Sequence, residues 1–128
     1  MNGNLRSAAA QFEHRNGDKP YNLSVIRKLA EQAAAAGAEA IAFHECCISG
    51  YGFARRLSRE QMLALAEPVP QGESVQALVQ IARETNVTVL AGLFERDTED
   101  RLYNTYLAVD GSGVIAKHRK LHPFINSY

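Results

Sequence analysis

Two periods of apolar and polar residues alternate along this chain, and each change of period marks an element. Residues 5–12, LRSAAAQF, are a short, mostly apolar run that reads as a strand. Asp18 and Pro20 then punctuate a helix start and Gly37 a helix stop. Between them Leu23, Ile26, Leu29, Ala30, Ala33 and Ala34 share one face, with Arg27, Lys28, Glu31 and Gln32 mostly opposite. That is an amphipathic helix made to lie on something flat. Residues 38–44 are apolar on both faces, as a strand in the interior of a covered sheet must be. SREQMLALAE, 58–67, predicts a shorter helix with Ser58 as N-cap and Gln61 three residues on, broken by Pro68, Pro70 and Gly72. A second amphipathic helix follows over 73–85 through Val75, Leu78, Val79 and Ile81. The β-branched content of NVTVLAGLFER, 86–96, predicts a strand, and residues 101–120 a hairpin turning around Asp110–Gly113.

The predicted order is strand, helix, strand, two helices, three strands. Alternation at the start and a hairpin at the end imply an α/β fold with a mixed β-sheet covered by helices. No Pro/Gly-rich linker divides the chain, so residues 1–128 are expected to form a single domain.

Composition narrows the partners more than the fold. Hydrophobic residues make up 46% and charged residues 22% of 128, enough for a packed core. The 14 basic and 14 acidic residues cancel, which removes the electrostatic footprint of a nucleic-acid binder. No apolar run approaches the ~20 residues that cross a bilayer, and the N-terminus lacks a signal-peptide pattern, so a cytoplasmic protein with no membrane partner is expected. Cys46 and Cys47 are neighbours, with Cα atoms ~3.8 Å apart, too close for an ordinary disulfide. Free thiols in a reducing compartment fit them better.

Candidate chemistry concentrates in two places. In AEAIAFHECCISGYGF, 38–53, an apolar strand ends in His44 and Glu45, and the glycines of GYG allow a tight turn. A carboxylate in mid-strand would be costly to bury. At the carboxyl end of a strand it faces the crevice where open α/β sheets bind ligands. In 114–120, Val114, Ala116, His118 and Lys120 alternate onto one face, so a regular pleat carries Lys120 inward, whereas Ile115, Lys117 and Arg119 form a half-charged face expected to be solvated. Read as composition alone, KHRK is a surface basic patch. His118 and His122 have no third ligand at metal spacing, Cys46 and Cys47 read as small buried hydrophobes, and DGSG lacks a phosphate-loop pattern.

Taken together, FHECCISGYGF, VTVLAGLFERD and RLYNTYLAVDGSGVIAKHRKLHPF resemble, in order, segments of the nitrilase or carbon–nitrogen hydrolase superfamily. The resemblance covers nearly the whole chain. It implies that the mixed sheet is part of an α-β-β-α sandwich, and that Glu45 and Lys120 match the general base and lysine of a Glu–Lys–Cys triad. His44 stands where the family usually has proline. The nucleophilic cysteine and a supporting glutamate lie downstream in the family, and neither Cys46 nor Cys47 matches the nucleophile. The resemblance therefore implies a chain corresponding to the N-terminal half of a longer hydrolase, C-terminally truncated. It further implies an amide, N-carbamoyl or, less readily, nitrile substrate, no cofactor or metal, and a homodimer or higher homo-oligomer. The competing expectation is a non-catalytic fragment kept for binding or assembly.

Overall fold

Capping chemistry bounds the helices where the sequence placed their ends. The structure, a computed structural model, describes residues 3–123. Asp18 accepts a hydrogen bond from the Tyr21 backbone N–H at 3.1 Å and opens helix α1, Lys19–Ala35, with Pro20 in the first turn. Ser58 and Gln61 form a reciprocal capping box on α2, Arg59–Leu65. Helix α3, Glu73–Thr85, has no side-chain cap from its own N-cap residue, Gly72. Glu67 takes that role from outside the helix. Its carboxylate accepts from the Ser74 N–H at 2.7 Å and from Lys19 Nζ at 3.0 Å, which also joins the start of α1 to the start of α3. A Cβ at position 72 would lie 2.6 Å from that carboxylate, so glycine makes room for it.

Five strands form one sheet in the order β1–β2–β3–β4–β5: Ser7–Ala9, Ala40–Ala42, Thr88–Arg96, Leu102–Asp110 and Gly113–Arg119. The first three are parallel and the last three antiparallel, the mixed arrangement expected. β1 and β2 are shorter than the apolar runs that predict them. Pairing continues past their ends as single bonds, Ala10 N–H to Ala42 O and Phe43 N–H to Leu90 O. Helices α1 and α3 lie on one face over Ile26, Ala30, Leu78, Ile81, Val89, Leu93, Leu107 and Val109. A smaller apolar cluster of Cys46, Ala54, Met62, Ala66 and Phe94 sits on the other face.

Two expectations for β5 need correction. The register pairs Ala108 with Ala116 but Val109 with Val114, so Ile115 is a bulge residue with no partner on β4. A bulge reverses side-chain parity. Val114 therefore shares a face with Lys117 and Arg119, and Lys120 follows Ala116 and His118 but not Val114. The Lys117 and Arg119 side chains are part-exposed, at 35% and 37%, but their charges are not free in solvent. Both cations reach back under the sheet to Glu95, which is 2% exposed: Lys117 Nζ at 2.9 Å, Arg119 at 2.8 and 3.0 Å. Thr105 Oγ1 adds a fourth bond at 2.6 Å. Those bonds supply the partners that a buried carboxylate needs.

Candidate active site

The site begins where β2 runs out. After Phe43 the chain turns through 45–49, with Cys46 in the left-handed region at φ 52°. The turn is held by Gly50 N–H to Cys46 O at 2.8 Å and Ile48 N–H to Gly92 O at 3.1 Å. Its backbone passes so close to β3 that a Cβ at Gly92 would lie 2.6 Å from Cys46 N. Cys46, Cys47 and Ile48 turn inward and are fully buried, whereas the side chain of Glu45, just before them, is 44% exposed. Asn22 locks the turn from the other side. Fully buried on α1, it donates to the Ile48 and Arg15 carbonyls and accepts from the Arg15 N–H, all at 2.8 Å.

Lys120 arrives from the end of β5. Its N–H donates to the Asn104 carbonyl at 2.8 Å, one further rung of the β4–β5 ladder. Arg119, anchored to Glu95 on the helix-covered face and stacked 3.7 Å over Tyr103, fixes the strand end from beneath. Lys120 consequently projects from the opposite face, and its Nζ meets Glu45 Oε1 at 2.7 Å. The hydrogen bond to Glu45 raises the Lys120 pKa above its ordinary value, against a smaller opposing effect of desolvation, and the lysine stays cationic. The Tyr51 ring lies 5.2 Å from Nζ.

Asn104 completes the group. Its Nδ2 donates to the same Glu45 oxygen at 2.6 Å, and its Oδ1 accepts from the Cys46 thiol at 3.4 Å. Tyr106, two residues along the same face of β4, donates its hydroxyl to the Phe43 carbonyl at 2.6 Å and ties β4 to the end of β2. Sequence reasoning gave neither side chain a role, although Asn104 lies in the YNT of the third family-like segment. An asparagine in mid-strand, where propensity disfavours it, was the available signal.

The two thiols lack the properties of a nucleophile. Burial, and then the neighbouring Glu45 charge, pushes the Cys46 thiol far above its ordinary range. Burial pushes Cys47 up to about 12. A thiol is reactive as thiolate, in exposed and electropositive surroundings, and neither residue has them.

His44 packs between Phe12 and His14, its Nε2 3.0 Å from His14 Nδ1, and burial followed by the His14 charge lowers its pKa. His118 and His122 are both exposed, and among the described residues no three of His, Cys, Asp and Glu gather as a metal site. The last residue of the HPF motif, Phe124, lies outside the described residues. Among those residues, no helix is long and apolar enough to cross a membrane.

Comparison with known proteins identifies the family and the fold. The family model for carbon–nitrogen hydrolase matches residues 6–128. A nitrilase from Pyrococcus abyssi is 37% identical over 103 residues, covering 80% of this chain and 38% of the relative. An omega-amidase from Xenopus tropicalis is 35% identical over 107 residues, 83% of this chain and 36% of its own length. An (R)-stereoselective amidase from a Pseudomonas species is 34% identical over 119 residues, 92% of this chain and 40% of its own. This chain thus spans about two fifths of the length of these curated relatives. Among solved structures, a crystal structure of N-terminal amidase superposes with a TM-score of 0.73 at 23% identity, over 91% of this chain and 28% of that one. An amidase from Nesterenkonia sp. gives 0.72 at 24% identity, over 92% and 43%. The fold is that of nitrilase-type amidases, an α/β architecture. With its family model matched from the first strand onward, the chain belongs to the carbon–nitrogen hydrolase family.

Proposed function

We propose that this chain supplies the acid–base half of an amide-hydrolysing site, with Glu45 as general base and Lys120 as the cation for developing negative charge. The observation that carries the reading is the contact of Lys120 Nζ with Glu45 Oε1 at 2.7 Å, made by residues 75 positions apart in sequence. Glu45 takes the proton of a cysteine thiol that lies outside this chain, since an unassisted thiol of pKa ~8.5 is mostly protonated at neutral pH. The thiolate attacks the carbon of the scissile C–N bond, and Lys120 stabilises the oxyanion that forms there. Glu45 returns the proton to the departing nitrogen, then activates the water that releases the acyl group. The substrate in this reading is an amide or N-carbamoyl group and, less readily, a nitrile; the relatives include both amidases and a nitrilase. Residues 1–128 form one part of a larger carbon–nitrogen hydrolase domain in this reading, cytoplasmic and homo-oligomeric. The second reading, a non-catalytic module, draws on the burial of both cysteines of the chain.

Ammonia release from simple amides tests the proposal. Residues 1–128 alone are expected to be inactive. The longest protein encoded with this chain is expected to be active, and to lose about 100-fold or more in kcat on E45Q or K120A, because triad members act as a unit. Activity that survives E45Q and K120A, or that depends on Cys46 or Cys47, would sink the assignment.

A further inference from the structure

We propose that Asn104 is the positioning residue of this site, an amide that fixes the Glu45 carboxylate against Lys120 and reserves its second oxygen for proton transfer. The inference rests on the acid–base reading of Glu45 given above. Asn104 reaches both partners, each by a different group. Its side chain donates to Glu45 Oε1 at 2.6 Å, and its backbone carbonyl accepts from the Lys120 N–H at 2.8 Å. The residue is 7% exposed, whereas the Glu45 side chain it holds is 44% exposed. A glutamate so open to water samples several rotamers unless something buried holds it, and confining it removes that entropy before any substrate arrives.

The direction of the amide is set by Cys46. The thiol is fully buried and stays protonated, so it acts as a standing donor to Asn104 Oδ1 at 3.4 Å. With Oδ1 engaged by a donor, Nδ2 is the atom that must face the carboxylate. Glu45 and Cys46 are adjacent, so the turn presents both ends of the amide with a partner at once. Lys120 Nζ and Asn104 Nδ2 both donate to Oε1, the one at 2.7 Å and the other at 2.6 Å. Oε1 is therefore the anchored oxygen, and Oε2 takes the proton. A leucine at position 104 would fill the same buried space without this effect, and the strand would form at least as readily.

The test compares N104A, N104D and E45Q in the longest protein encoded with this chain. N104D is nearly isosteric but sets a second carboxylate against Glu45. It is expected to move the acidic limb of the pH dependence of kcat/KM upward by about one pH unit or more, as a like charge disfavours ionisation. N104A is expected to lower kcat about 10–100-fold with KM changed less than about 3-fold, the pattern of a lost transition-state interaction. A purely structural role for Asn104 would move the thermal midpoint of N104A and leave its kcat and pH limb in place. If E45Q is inactive while N104A and N104D keep the parent kcat and pH limb, the positioning role is wrong and the acid–base reading stands. If E45Q is fully active, the acid–base reading fails instead.

A readout independent of turnover decides the geometry in every case, including one in which an Asn104 variant does not fold. In proton–nitrogen spectra, a side-chain amide proton of Asn104 is expected downfield of the ordinary asparagine range and returns towards it in E45Q. An Asn104 amide resonance that does not respond to E45Q overturns the proposal.

Discussion

Removing the Glu95 carboxylate tests how the helix-covered side of the sheet supports the site. Glu95 is 2% exposed and receives Lys117, Arg119 and Thr105 in four bonds of 2.6–3.0 Å. Burial pulls its pKa upward, but the hydrogen bonds from Arg119, Thr105 and Lys117 outweigh it and hold the group down at about 2, against an ordinary 4.5. A folded value below the unfolded one contributes stability that is complete above pH 4.5 and is lost as the pH falls through about 2. The difference of about 2.5 pKa units, at about 1.36 kcal/mol each, sets a ceiling of about 3 kcal/mol. Lys117 and Arg119 have side chains 35% and 37% exposed, so solvent screening reduces this to roughly 2 kcal/mol. Urea unfolding, followed by circular dichroism from pH 7 to pH 2, measures the loss. E95Q is expected to show a shallower fall than the parent over the acid range, the difference between the two curves isolating this one carboxylate. E95A at pH 7 is expected to cost roughly 2–3 kcal/mol, because Thr105 and two part-exposed cations lose their common partner. Combining E95L with K117M and R119M is expected to recover most of that loss, since an apolar triad replaces a partly buried ionic one at little net cost. An E95Q protein whose stability declines as steeply as the parent's between pH 4.5 and 2 would show that the carboxylate is not responsible.

Three further outcomes follow from the same packing. Gly92→Ala places a methyl 2.6 Å from Cys46 N and is expected to cost about 1–3 kcal/mol in urea unfolding; a change under about 0.5 kcal/mol would mean the turn yields freely. Asn22→Ala strips partners from the Arg15 N–H and from two carbonyls, with an expected loss of about 2–4 kcal/mol, and Asn22→Asp should rescue little because its carboxylate opposes both carbonyls. Among the described residues β1 and β5 are edge strands, and Ile115 on β5 is 54% exposed, so residues 1–128 alone are expected to self-associate in size-exclusion with light scattering. A monomer with one cooperative unfolding transition would argue for a self-sufficient binding module.

Local signals determined much of this protein before any tertiary contact. Asp18, Pro20 and the Ser58/Gln61 pair mark helix starts because capping involves residues only three positions apart. The β-branched run at 86–96 and the DGSG turn likewise depend on near neighbours, and Asp110 does accept from the Ser112 N–H at 2.8 Å. Glu45 stood out because its apolar strand had to end where a carboxylate could meet water, and the contact with Lys120 agrees with that position. What the sequence could not supply was parity across the sheet. One bulge at Ile115 puts Lys117 and Arg119 on the face of Val114 and within reach of Glu95, and a bulge depends on how two strands register, not on either alone. The roles of Asn104, Asn22 and Glu67 were hidden for the same reason. Each satisfies groups 7 to 59 positions away, and a polar side chain reads as surface until folding shows which buried donors and acceptors surround it.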